Sequence, residues 1–272
     1  MKILKLGQMI GGANSPKPSG FDNEYSINFD GVDDYLTFGD ATAFTPNGSG
    51  AGRGFSIGMW FKTTDASAGF TNKFLITKTR AAASQQEYEM QIQSTGKISL
   101  KFIGGGGGSL FDPTTRLETS TALNTGAWKH IVFTWSLASP VTTSNFKVYV
   151  NGSQDTSATL LNSGTMTAVK NGSTPLTAMA FEPTGGLFAR YTSGNTDEIF
   201  IVDDELSASQ VTDIYNGGTP IDMTTINHLV GWWRNGDPTG TGAFPTITDQ
   251  SSNSNDGTMT NMTSSDIVTD VP

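Results

Sequence analysis

Phe55-Ser56-Ile57-Gly58-Met59-Trp60-Phe61 is the stretch whose reading decides the fold. Phe55, Ile57, Met59 and Phe61 fall at every second position, which puts them on one face of a β-strand. The same alternation is present in Tyr25-Ser26-Ile27-Asn28-Phe29 and Tyr35-Leu36-Thr37-Phe38. Downstream it recurs over residues 74–77, 88–93, 98–102, 130–135, 146–150, 178–181, 198–202 and 229–233. Asn151-Gly152, Asn171-Gly172 and Asn216-Gly217-Gly218 punctuate these runs with dipeptides that favour positive φ and tight turns. One helical turn is predicted over Ser207-Ala208-Ser209-Gln210-Val211-Thr212-Asp213-Ile214-Tyr215. Ser207 caps its start, Val211, Ile214 and Tyr215 share a side, and Asn216-Gly217 stops it.

Composition agrees. The 272 residues include 32 Gly and 16 Phe, and only 15% are charged, a poor supply for long helices. An all-β, two-sheet antiparallel sandwich with one short helix is predicted. Gly104 to Gly108 is a run of five glycines that reads as a mobile loop tip or a tail ordered by a partner. Residues 1–20, rich in Gly, Pro and Ser and without period, read as an N-terminal arm ahead of a domain spanning 21–272. The arm is either a frayed terminus or a docking strand for a neighbouring subunit.

Several segments resemble, in order, the laminin-G-like jelly rolls of the concanavalin A-like lectin/glucanase superfamily. They are Phe29-Asp30-Gly31-Val32-Asp33-Asp34-Tyr35-Leu36, the 55–62 strand, Trp128-Lys129-His130-Ile131-Val132-Phe133-Thr134, and Lys147-Val148-Tyr149-Val150-Asn151-Gly152. Asp197-Glu198-Ile199-Phe200-Ile201 with the helix at 207–215 completes the set. Trp60, Trp128 and Trp135 are expected as anchors between the sheets, and His130 as a packed residue. One departure stands out. Leu229-Val230-Gly231-Trp232-Trp233 and Asp249 through Thr258 resemble the family's first strand, yet they follow the closing strand. Either the jelly roll is circularly permuted, with residues 228–272 completing the sandwich, or that tail is swapped to a neighbour.

The resemblance implies a calcium site in which Asp30 or Asp33 meets Asp197 across the sandwich, with backbone carbonyls filling the Ca2+ shell. A glycan site is expected where Trp233, out of phase with Trp232, exposes its ring beside Arg234, Asn235 and Asp237. The alternative is that Trp233 packs under the arm. The superfamily's glucanases carry Glu-x-Asp-x-x-Glu on one strand, and this pattern is absent; Glu87 and Glu89 share a face without a third acid. With two His and no Cys, neither a catalytic triad nor a zinc site of the usual kind is expected.

A net charge of −9 repels phosphates, so nucleic acid is not an expected partner. No run reads as a membrane span or a signal-peptide core. The functional expectation is a non-catalytic virion structural protein of a bacteriophage: a capsid decoration, fibre or tail component. It would be a homo-oligomer meeting other virion proteins and host-surface glycans. An extracellular bacterial glycan-binding lectin module is the alternative, and a glycoside hydrolase ranks third.

Overall fold

The computed structural model describes residues 21–46, 52–69, 71–82, 85–105, 113–166, 168–235 and 244–272. The arm at 1–20 and Gly106 to Gly108 lie outside them. In chain order the strands are β1 (Ser26–Asp30), β2 (Tyr35–Thr37), β3 (Phe55–Lys62), β4 (Lys73–Thr79), β5 (Gln86–Ile92), β6 (Ile98–Ile103), β7 (Thr114–Glu118), β8 (Lys129–Trp135), β9 (Phe146–Val150) and β10 (Ser153–Gln154). They continue as β11 (Thr159–Ser163), β12 (Thr177–Ala178), β13 (Phe181–Thr184), β14 (Leu187–Ala189), β15 (Ser193–Val202), β16 (Leu229–Trp233), β17 (Thr246–Ile247), β18 (Gly257–Thr260) and β19 (Ile267–Val268). One helix, α1 (Ala208–Tyr215), stands between β15 and β16. No helix among the described residues is long and apolar enough to cross a membrane.

Two antiparallel sheets form the jelly-roll sandwich. The first runs β10-β9-β8-β3-β15-β1-β19, with β16 also pairing β15; the second runs β11-β7-β6-β5-β4-β12-β2-β18-β17. The period-two pattern explains the core between them. Ile57, Met59 and Phe61 of β3, Ile131 and Phe133 of β8, and Ile199 and Ile201 of β15 all turn inward. They meet Tyr88, Met90, Leu100 and Phe102 of the second sheet, all buried. Burying each such side chain contributes roughly 1.5–3 kcal/mol.

The first sheet is covered on its outer face as well. Val132, Tyr149, Phe200, Val202 and Trp232 form a second apolar cluster with Val211 and Ile214 of α1 and with Met223. The helix is fixed as its sequence predicts. Ser207 Oγ accepts the Gln210 N–H, Gln210 Oε1 accepts the Ser207 N–H at 2.9 Å, and Asn216 ends the helix with φ of 46°. This second cluster corrects the placing of two tryptophans. Trp60 is buried on the outer face, stacked on Tyr215 of α1, and Trp128 is half-buried at the rim, its indole donating to Asp270 at 3.0 Å. Trp135 alone of the three sits between the sheets.

Turn chemistry is met at Asn151-Gly152, where φ is 48° and 76°, but Asn171-Gly172 takes no positive φ. Gly172 there donates its N–H to Glu87. The C-terminal segment completes both sheets of its own chain: β16 lies against β15, β18 against β2, and β19 against β1.

Candidate functional site

The loop from β1 to β2, Asp30-Gly31-Val32-Asp33-Asp34, gathers three carboxylates whose oxygens lie within 4.8 Å of one another. Gly31 makes the turn possible. Its φ is 76°, and a Cβ there would stand 2.8 Å from the Cβ of Ser193. Asp30 Oδ1 accepts the Val32 N–H at 2.7 Å, and this bond, first among several, holds the Asp30 carboxyl below its usual range. Asp34 is buried and accepts the Asp30 N–H at 2.9 Å. Burial pushes its carboxyl up, and the charges of Asp30, Asp266 and Asp33 add to the rise. Crowded hard oxygens without an ion-paired Lys or Arg among the described residues suit a Ca2+ ion. Asp34 is the member that the sequence reading missed, because its burial depends on the chain passing over it.

Asp197 does not join this group. Asp30 pairs with Ser193 across β1 and β15, and Asp197 lies four residues further along, fully buried. The Asn23 amide donates to it at 2.9 Å, while burial and the charge of Glu198 push its carboxyl well up. Beside it Glu198, at φ 49° in a register shift of β15, accepts the Trp232 indole N–H and reaches Arg234 at 3.5 Å. The Arg234 guanidinium lies 4.0 Å from the centre of the Phe21 ring and donates to the Asp22 carbonyl at 2.5 Å. These acids are therefore sealed beneath residues 21–23.

The expected glycan site at Trp233 is corrected. Trp233 is fully buried between the sheets, 4.2 Å from Phe38 by ring centroids, with its indole N–H donated to the Asn255 carbonyl at 2.8 Å. Alternation does send Trp232 and Trp233 to opposite faces, but both faces are covered. Asn235 is also buried and donates to Thr196 Oγ1 at 2.8 Å; Asp237 lies outside the described residues.

A ledge of rings borders the carboxylate loop instead. Phe188 of β14 stacks on Tyr35 of β2 with centroids 4.1 Å apart, and Tyr191 lies 6.2 Å from Tyr35. All three are partly exposed. Burial, then Tyr35 and the Asp33 charge, push the Tyr191 hydroxyl up. Tyr35 directly follows Asp34 in the chain, so the ledge adjoins the acidic loop. Lys73 holds the segment by donating to the Tyr191 carbonyl at 2.5 Å. The three-residue β14 is too short to show a period in sequence, although Gly185-Gly186 marks the turn before it.

Glu87 and Glu89 are committed elsewhere. Glu87 accepts from Lys78 at 2.5 Å, Thr45 at 2.5 Å and the Gly172 N–H at 2.9 Å, and it has no exposure. Glu89 is paired with Lys101. Neither presents a free carboxylate to a cleft.

A family model described as concanavalin A-like lectin/glucanases superfamily matches residues 30–212. The chain belongs to this superfamily. Among solved structures, this concanavalin A-like chain is similar to a Bacteroides ovatus protein to which carbohydrate binding has been ascribed. The TM-score is 0.59 at 15% identity, and 92% of this chain covers 60% of that one, less than two thirds of its length. A heptameric pentraxin from Limulus polyphemus matches at a TM-score of 0.46 and 20% identity, covering 74% of this chain and 87% of that one. The sialyllactose-bound CBM40 of a Ruminococcus gnavus sialidase matches at 0.45 and 15% identity, covering 70% and 95%. No curated protein matches the concanavalin A-like chain.

Proposed function

We propose that the protein is a non-catalytic glycan-binding module whose ligand edge is the end bearing Asp30, Asp33 and Asp34 beside Tyr35, Phe188 and Tyr191. One observation carries this reading: partly exposed rings gathered on Tyr35 adjoin the loop of carboxylates that ends at Asp34, apolar planes for sugar C–H faces near acceptors for sugar hydroxyls. Asp30, Asp33 and Asp34 would hold the Ca2+ expected from the family resemblance, which would neutralise the loop and order it. The burial of Glu87, Asp197 and Glu198 in internal pairs supports a role without hydrolysis. The test is a glycan array on the full chain with and without Ca2+, followed by Tyr191→Ala and Asp33→Asn. Binding that survives both substitutions would refute this edge as the site. A virion setting is our proposal for where the module works, supported by the Cys-free, Gly-, Thr- and Ser-rich composition. Mass spectrometry of purified particles tests it, and absence from particles with retained sugar binding would favour a bacterial extracellular lectin.

A further inference from the structure

At the far end of β15 from the carboxylate loop, β16 begins beside a groove of about 570 Å³. Since β15 has 10 residues, the two ends lie roughly 30 Å apart at about 3.3 Å per residue. One wall is the segment before β16, with Thr224, Asn227 and His228; the other is Gln250 to Asn253. Among the described residues no Asp, Glu, Lys or Arg lines the groove, although the chain carries a net charge of −9. Ile226 and Leu229 add apolar surface among the amides and hydroxyls.

The second wall is built to stay in place. Asp249 accepts the N–H groups of Trp232 at 2.9 Å and Ser251 at 2.8 Å through Oδ1, and that of Asn255 at 2.9 Å through Oδ2. Asn253 donates its amide to the Leu229 carbonyl at 2.9 Å, and Asn255 donates its own to Val230 at 2.9 Å. The side chains of Asn227, His228 and Ser252, by contrast, are exposed and make no hydrogen bond among the described residues. His228 is held at a φ of 60°, outside the region that suits a side chain, while its carbonyl accepts the Asp203 N–H at 3.0 Å.

We infer that this groove is a second, cation-independent subsite for a neutral oligosaccharide. The inference rests on the glycan-binding reading above and deepens it. Uncharged donors and acceptors on a fixed wall match hydroxyl groups, the apolar residues match a sugar ring face, and the volume falls in the range of small-molecule sites. With no carboxylate among its described lining residues, the groove offers Ca2+ no charged ligand.

The test uses the full chain in EGTA on an array of neutral and charged glycans, followed by calorimetric titration with the neutral oligosaccharide bound best. Ser252→Trp, which places an indole in the groove from an exposed position, is expected to weaken binding at least tenfold. His228→Gly removes the imidazole and relaxes the backbone, so it is expected to weaken binding several-fold without lowering the Tm. Tyr191→Ala, at the other end, is expected to leave this affinity unchanged. If both groove variants bind as the native chain while Tyr191→Ala abolishes binding, the second subsite is wrong and the glycan reading stands. Binding of charged glycans alone has the same meaning. If the folded native chain binds no glycan with or without Ca2+, both readings fall.

Discussion

The imidazole of His130 lies against the indole of Trp60, ring centroids 4.9 Å apart, and neither of its nitrogens has a hydrogen-bond partner among the described residues. Tyr215 of α1 closes over the pair, 5.9 Å from His130. Burial lowers the His130 pKa from 6.5 to about 3, so the folded protein keeps this ring neutral while the unfolded chain protonates it. Stability from this residue is whole above pH 6.5 and is lost as pH falls toward 3. Linkage puts the loss at about 2 kcal/mol by pH 5. Denaturant unfolding at pH 7 and pH 5 is expected to show a drop smaller by that amount in His130→Phe, which keeps the ring stack. An equal drop in both proteins would refute the assignment.

Lys78 has no exposure and is held between Asp40 at 2.6 Å and Glu87 at 2.5 Å. Lys78→Met leaves the Glu87 carboxylate buried without its cation, and is expected to cost about 3–5 kcal/mol. The double variant Lys78→Met/Glu87→Gln is expected to recover most of this. Burial already pushes the Glu87 carboxyl up, so the single variant is expected to be less harmed at pH 5 than at pH 8. Unfolding curves of the three proteins at both pH values decide it.

Gly231 precedes the tryptophan pair because a Cβ there would stand 2.4 Å from the Trp233 ring. Gly231→Ala is expected to destabilise by about 1–3 kcal/mol through overpacking. Near-ultraviolet circular dichroism should report the displaced indole; an unchanged spectrum and Tm would count against this packing.

Ca2+ at Asp30, Asp33 and Asp34 predicts a rise in Tm on titration. For an affinity of about 0.1–1 mM, typical of extracellular modules, 10 mM Ca2+ contributes roughly 1–3 kcal/mol. Asp33→Asn is expected to abolish most of that response with little effect in EGTA, since Asp33 is exposed. A Ca2+ response unaltered by the substitution would place the ion elsewhere.

Strand positions were legible in the sequence because an inward face repeats at every second residue, as Phe55, Ile57, Met59 and Phe61 do. What alternation does not report is whether the second face is also covered. Trp233 therefore read as either exposed or packed under the arm although it lies in the inter-sheet core, and Trp60 read as an inter-sheet anchor although α1 covers it. The acidic loop was legible at Asp30 and Asp33 only through the family resemblance of Phe29 to Leu36; the Asp-Gly turn by itself reads as a capped, solvated loop. The partner Asp197 was misplaced because the β1–β15 register, which puts Ser193 opposite Asp30, is set by distant packing. The ring ledge was silent for the same reason: Tyr35 and Phe188 are 153 positions apart in number, and only the fold joins them.

Ser26 pairs with Val268 and Ile27 with Ile267, so the segment entering β1 and the segment leaving β19 emerge side by side from one seam. Tension applied through those two segments would load the seam's backbone bonds one after another, as in opening a zip, rather than all together in shear. The clasp at Asp270, held by Lys62 at 2.5 Å and the Trp128 indole at 3.0 Å, and the hold of Arg234 and Asp197 on residues 21–23 are then the first fastenings loaded, one on each segment. A module tethered at both ends would yield at these fastenings while its two sheets stay closed.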